Sequence, residues 1–292
     1  SGTADFPYLT TYNNLLLSGS GAKTAYDADI TINGTLTNQS TSSLTASNIG
    51  KLILLDNWVN SGNFTHNNGS ITFNGNTTIS GSVPPVLYNL TINAGKILTA
   101  PLSASLGVAG NWVNNGTFNP NSGTVSFTGS STISGSSTTT FNNIAIVSQR
   151  TLTGKLNGNI IITGTINTSG GNYTGTDDDD FDGGDAGYVW IESDDDGSTL
   201  VNAANIVISG NSILANGGNT ADTGSSAYGG DGGEIDVVYT DADDLINAYV
   251  TGKIEFTGGD SVGQDGGDGG YFHVNLASTA PNTGEMIVTG AI

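Results

Sequence analysis

The sequence predicts an all-β fold, a parallel β-helix (β-solenoid) built from short repeated coils. Three observations carry that expectation. Gly, Asn, Ser and Thr dominate, with 44 Gly in 292 residues, and no stretch keeps the 3.6-residue apolar stripe of an amphipathic helix. The glycines follow no G-X-Y period, which excludes collagen and suits short strands joined by tight turns. The second observation is a gapless repeat of 54 residues. Asn57-Trp58-Val59-Asn60 recurs as Asn111-Trp112-Val113-Asn114, Ile71-Thr72-Phe73 as Val125-Ser126-Phe127, and Leu90-Thr91-Ile92 as Ile144-Ala145-Ile146. The third is a finer period of apolar-x-apolar triplets ending at Leu54, Phe73, Ile92, Val108, Phe127, Ile146 and Ile162. Their spacing of 19, 19, 16, 19, 19 and 16 residues predicts three coils of about eighteen residues per repeat.

Each triplet alternates, so two of its side chains point to one face, as a strand requires. Asn-Gly, Ser-Gly or Asn-Asn turns separate the triplets. Longer strands would be expected of a sandwich, and a period of about forty residues of a propeller. The interior is expected to be lined by Leu54, Phe73, Ile92, Val108, Phe127, Ile146, Ile162 and Ile208.

The repeat continues in altered form beyond residue 163. Ile162-Thr-Gly-Thr-Ile166 is echoed by Ile208-Ser-Gly-Asn-Ser-Ile213, Val250-Thr-Gly-Lys-Ile254 and Val288-Thr-Gly-Ala-Ile292. After the first three come a glycine pair (Gly170-Gly171, Gly217-Gly218, Gly258-Gly259), an acidic loop, and then Gly-Gly-Asp ending at Asp185, Asp231 and Asp268. A strand is expected after each. The organisation expected is one continuous solenoid over 1–292, with tight coils over 1–163 and acidic looped coils over 164–292, about fourteen coils in all. Neither end shows a polar cap. The chain opens at Ser1 without Met or signal peptide, so a processed or cloned piece of a longer protein is expected. The other possibility is that its ends stack head to tail between subunits.

Charge is unevenly placed. Residues 1–150 hold four acids (Asp5, Asp27, Asp29, Asp56) and four bases (Lys23, Lys51, Lys96, Arg150), so the whole net charge of −20 lies in the second half. Nothing there neutralises phosphates, which excludes nucleic acid as a partner and leaves cations as plausible ones. Cysteine is absent, so stability has to come from coil-on-coil burial. No apolar run is long enough to span a membrane.

The motif [Tyr/Phe]-Asn-Asn-[Leu/Ile]-x-[Leu/Ile], as in Phe141 to Ile146, together with Asn-Trp-x-Asn-x-Gly-x-Phe, as in Asn111 to Phe118, resembles the repeats of large bacterial surface proteins. These are adhesin-like and filamentous-haemagglutinin-like parallel β-helices. The resemblance covers most of the chain. It implies a right-handed parallel β-helix, secretion to the cell surface or matrix, and a structural or adhesive role. Partners implied are cell-surface glycans or matrix and further copies of the chain. No catalytic residues come with it.

The acidic loops are the functional candidates. Asp177, Asp178, Asp179, Asp180 and Asp182 form one cluster, and Glu192, Asp194 and Asp196 another. The second resembles the first half of a Ca²⁺ loop with ligands at alternate positions and a turn glycine, Gly197, but position twelve is Ala203 and the closing Glu is missing. Asp241 and Asp243 take a similar place one repeat later, and Asp265 lies beside Asp268. Asp185, Asp231 and Asp268 should stack. At about 4.8 Å their carboxylates repel by about 1 kcal/mol in water and about 3–4 kcal/mol at an effective dielectric of 20. Calcium, a hard cation, would turn that repulsion into cross-links; the alternative is a solvated loop that serves solubility.

Trp58 and Trp112 share a repeat position that Ile166 fills in the next unit, which points to packing. Tyr188 and Tyr271 follow Gly-Gly-Asp where Glu234 stands in the middle copy, an outward position open to a carbohydrate platform. His66 aligns with Pro120, and His273 with Asp236 and Trp190; both histidines are expected at the surface. Enzymatic use is not expected. Pectin-degrading β-helix enzymes use basic residues in Gly-His-Gly or Arg-Ile-Lys motifs, and neither occurs here, the sole Arg being Arg150. The remaining alternatives are a carbohydrate- or ice-binding module, and a polysaccharide-degrading enzyme working through paired carboxylates.

Overall fold

The structure, a computed structural model, describes residues 4–5, 9–146, 151–155, 160–162, 165–172, 174, 182–193, 203–208, 212–222, 227–239, 245–250, 253–262, 265–275 and 286–288. Among them there is no helix, every strand pairing is parallel, and the parallel sheets stack as a β-solenoid. The chain divides into two compact units. One comprises residues 1–126 and 131–142, the other residues 127–130 and 143–292.

In the first unit the strands pair in steps of three along the chain, with Asn63–Thr65 ending its sheet, so a coil has three strands and three faces. On one face Ile30–Ile32 pairs with Lys51–Leu54, then Ser70–Phe73, Asn89–Ile92 and Trp112–Asn114. On another, Leu36–Asn38 pairs with Trp58–Asn60, which pairs with Thr77–Ser80. On the third, Ala22–Thr24 precedes Ser43–Thr45 and Asn63–Thr65. Among the described residues seven strands follow one another on the first face of this unit, from Thr11–Tyr12 to Ser131–Ser134.

Alternation decides what each face buries. In Lys51–Leu54 the residues Leu52 and Leu54 point inward, while Lys51 is exposed. Because the register is exact, equivalent side chains form interior columns. Leu54, Phe73 and Ile92 stack directly, each at most 1 % exposed. Full burial of such side chains contributes about 1.5–3 kcal/mol each. Trp58 and Trp112 are wholly buried. Trp58 meets Phe64 edge to face at 4.9 Å, and Trp112 meets Phe118 at 4.7 Å and Phe141 at 5.2 Å. The expected packing role of the tryptophans is what the structure shows, and Ile166 is buried in its turn.

The expected coil length is corrected. Val108 is not the next rung above Ile92. Ile92 stands opposite Asn114, whereas Val108 stands opposite Leu87 on a different face. The in-register steps from Ile32 to Leu54, Phe73, Ile92 and Asn114 make a coil of 19 to 22 residues, so fourteen coils of eighteen residues do not form. The 54-residue repeat is therefore not a whole number of coils. It carries Trp58, in the column of Leu36 and Ile79, to Trp112, in the column of Leu90 and Ile133. The same motif thus serves different faces. Each face asks the same of the sequence, namely an inward-outward alternation followed by a corner.

The corners hold a feature the apolar pattern does not announce. Asn38, Asn60 and Asn114 are completely buried. Asn38 Nδ2 donates to Asn60 Oδ1 (2.8 Å) and to the Asn63 carbonyl (2.9 Å). Asn60 Nδ2 donates to the Val83 carbonyl (2.7 Å), and Asn114 Nδ2 to the Thr138 carbonyl (3.1 Å) and Thr139 Oγ1 (2.9 Å). An inward amide satisfies carbonyls that the turning chain directs away from any ladder.

In the second unit the rungs keep a strict register while the coil lengthens. Ile162 stands opposite Ile208, Ile208 opposite Val250, and Val250 opposite Val288. Ile166 stands opposite Ile213, which faces Ile254. Of the expected interior residues, Val108, Phe127 and Ile146 are buried; the side chains of Ile162 and Ile208 lie outside the described residues. The strands Tyr188–Ser193, Glu234–Tyr239 and Tyr271–Asn275 follow the three Gly-Gly-Asp segments as expected.

Candidate functional site

The extra length of the second unit's coils goes into glycine-rich legs that leave the rungs and return. The outgoing legs are 168–172, 215–219 and 256–260, and the return legs are 182–187, 227–233 and 265–270. None is a strand. A zigzag of backbone hydrogen bonds joins the two rows. Gly184 N–H donates to the Gly171 carbonyl, Gly218 to Gly184, Gly230 to Gly218, Gly259 to Gly230 and Gly267 to Gly259, all at 2.8–2.9 Å. Other N–H groups bond along a row, such as Gly217 to the Thr257 carbonyl and Ala186 to that of Asp231. Bonding in several directions from one extended leg is the property of a chain with a threefold rather than a twofold period. Glycine is required here for close approach. A Cβ on Gly217 would lie 1.6 Å from the Gly230 carbonyl oxygen, and one on Gly258 would lie 1.6 Å from that of Gly267.

On the outer side of each row, N–H groups that face the preceding coil find no backbone acceptor and bond instead to its side chains. In the outgoing row Asn219 N–H donates to Asn172 Oδ1 and Asp260 N–H to Asn219 Oδ1, both at 2.8 Å. In the return row Tyr228 N–H donates to Asp182 Oδ1 (2.7 Å), Asp231 N–H to Asp185 Oδ1 (3.0 Å) and Asp268 N–H to Asp231 Oδ1 (2.8 Å). The Gly-Gly-Asp aspartates therefore stack as expected, and each link is made by one carboxylate oxygen and the next coil's backbone. Asp182, Asp185, Asp231 and Asp268 line one shallow depression with Tyr228 and the intervening glycines. Asp265 lies exposed nearby in sequence, its carbonyl accepting from Gly229 N–H at 3.4 Å.

Of the other sequence-predicted ligands, Glu192 lies in a strand opposite Lys155 and Val238. Asp177, Asp178, Asp179, Asp180, Asp194, Asp196, Asp241 and Asp243 lie outside the described residues.

A second acidic group lies on the rungs. Glu234 and Asp236 are alternate residues of one strand and so share a face. Asp236 stands opposite His273, and Glu234 stands between Tyr188 and Tyr271. The expected alignment of Trp190, Asp236 and His273 is the observed register, and Tyr188, Tyr271 and His273 are exposed. Asp236 is buried, with its Oδ1 3.3 Å from His273 Nδ1. The Glu234 carboxyl is raised above the usual range by burial first and then by Asp236, against the lowering influence of the Tyr271 hydroxyl and His273. The Tyr271 hydroxyl is raised in turn, chiefly by the Glu234 charge. His66, in the first unit, stacks on Tyr88 at 5.4 Å with Nδ1 accepting Asn68 N–H. The sequence aligns His273 with Asp236 and Glu234 with the two tyrosines, but does not by itself join the two sets into one group. The signal for the group was present in the i, i+2 spacing of Glu234 and Asp236 together with the alignment of His273.

Comparison with protein-family models, with curated proteins and with solved structures returned no match.

Proposed function

We propose that the chain is a structural and adhesive module of an extracellular surface protein, a stalk or filament subunit whose acidic legs are stiffened by calcium. The observation that carries this reading is the devotion of polar side chains to coil-to-coil cohesion. Asn38–Asn60, Asn172–Asn219–Asp260 and Asp185–Asp231–Asp268 each tie one coil to the next. A scaffold benefits from such repetition, since nearest-neighbour coil interfaces add up along a solenoid. Calcium is supported by the stacked carboxylates of the return row, where oxygen ligands of like charge converge with no base among the lining residues. The surface location rests on the resemblance of the Asn-Trp-Val-Asn repeats to bacterial adhesins.

Limited proteolysis and thermal unfolding in calcium and in chelator test both parts. The scaffold requires resistance to protease and a cooperative melt in either condition; rapid digestion throughout the chain would overturn it. The calcium part requires a higher melting temperature in calcium, and an unchanged melt would remove calcium alone. A second reading, carbohydrate binding, is favoured by the exposed Tyr188 and Tyr271 flanking Glu234. Retention of a polysaccharide by the chain, lost in Tyr188→Ala/Tyr271→Ala, would support it.

A further inference from the structure

The group on the rungs, Glu234, Asp236 and His273, has a composition different from the aspartate row. One ligand atom from each of the three lies within 4.8 Å of the other two. Asp236 is only 8 % exposed, and its Oδ1, which points at the imidazole, is buried and receives no hydrogen bond. A buried carboxylate oxygen without a donor is costly, and a second carboxylate beside it adds repulsion. A shared proton or a cation removes both penalties. The imidazole nitrogen distinguishes the kind of cation, because calcium and magnesium take oxygen ligands whereas imidazole suits zinc, copper and nickel.

We propose that Glu234, Asp236 and His273 form a binding site for one divalent transition-metal ion of the zinc class, bridging the strands Glu234–Tyr239 and Tyr271–Asn275. Ligands about 2.0–2.2 Å from a tetrahedral ion lie about 3.4 Å from one another. Asp236 Oδ1 and His273 Nδ1 already stand at 3.3 Å, and a carboxylate oxygen of Glu234 lies within 4.8 Å of both ligand atoms. Tyr271 stands opposite Glu234 on the neighbouring strand, the place of an outer partner that orients a metal ligand. Three protein ligands leave the fourth position to water or to a donor from a partner molecule. The site is independent of the stalk reading and of calcium in the legs.

The test is calorimetric titration of the full chain with zinc chloride in a large excess of calcium, which occupies oxygen-only sites. The expected result is one zinc per chain, with affinity reduced at least about tenfold by His273→Ala and by Glu234→Gln and unchanged by His66→Ala and Asp231→Asn. With copper(II) as the probe, nitrogen hyperfine coupling in the electron paramagnetic resonance spectrum should vanish in His273→Ala. His273 is exposed, so that variant should keep the parent's metal-free melting temperature; Glu234→Gln gives an independent reading. Absence of zinc binding in calcium, or binding that neither variant weakens, would overturn the proposal and leave a carboxyl pair sharing a proton beside His273.

Discussion

Asp231 Oδ1 accepts the backbone N–H of Asp268 at 2.8 Å, joining two coils that are 37 residues apart in sequence. The same residue's own N–H donates to Asp185 Oδ1, so Asp231 is the middle link of a chain of carboxylates and amides. The link needs an oxygen acceptor and does not need a charge. Asp231→Asn should therefore keep the melting temperature nearly unchanged in chelator while removing part of the calcium response. Asp231→Ala should lose about 1 kcal/mol in both conditions. Chemical denaturation of the two variants with and without calcium checks this.

Glycine pairs offer a sharper contrast. Gly217→Ala places a methyl group 1.6 Å from the Gly230 carbonyl oxygen, whereas a Cβ on Gly171 meets nothing within 4 Å. Backbone on both sides leaves little room to yield, so Gly217→Ala should destabilise the second unit by about 3 kcal/mol or more. Gly171→Ala should be close to neutral. Hydrogen exchange measured on both variants separates the two outcomes.

The buried amides of the first unit should be equally demanding. Asn60→Leu keeps the branched shape of the side chain but leaves the Val83 and Gly62 carbonyls and Asn38 Nδ2 without their Asn60 partner. A loss of about 2–3 kcal/mol is expected, read as a lower melting temperature.

For the tryptophans the indole nitrogen is not the source of stability, since Trp112 Nε1 is buried without a hydrogen-bond partner. Trp112→Ala should cost about 3–5 kcal/mol through the cavity it opens beside Phe118 and Phe141. Trp112→Phe should cost clearly less, because no hydrogen bond is lost. Denaturant unfolding of both variants measures the difference.

The fold class was legible because alternation and turn residues recur at short range. The register of the second unit was legible to the residue, as in Ile162, Ile208, Val250 and Val288, because a Thr-Gly or Ser-Gly step follows the rung residue in each copy. The coil length was not. Val108 carries the same triplet signature as Ile92 yet lies on another face, and a one-dimensional pattern does not distinguish faces that make equal demands on a strand. Of the candidate site, the stacking of Asp185, Asp231 and Asp268 followed from their shared position. Their role as acceptors for backbone N–H groups did not, because it depends on the direction in which an extended glycine leg points its amides. The group of Glu234, Asp236 and His273 arises only when two neighbouring strands are laid side by side.

The glycine-rich legs form a hydrogen-bonded, two-row body that holds successive coils together. Amide hydrogen exchange of Gly184, Gly218, Gly230, Gly259 and Gly267, resolved by nuclear magnetic resonance, tests it most directly. Each of these N–H groups donates across the rows, so all five should exchange slowly and at a common rate set by opening of the whole body. Exchange at the rate of an unstructured loop would show that the legs do not bind the coils together.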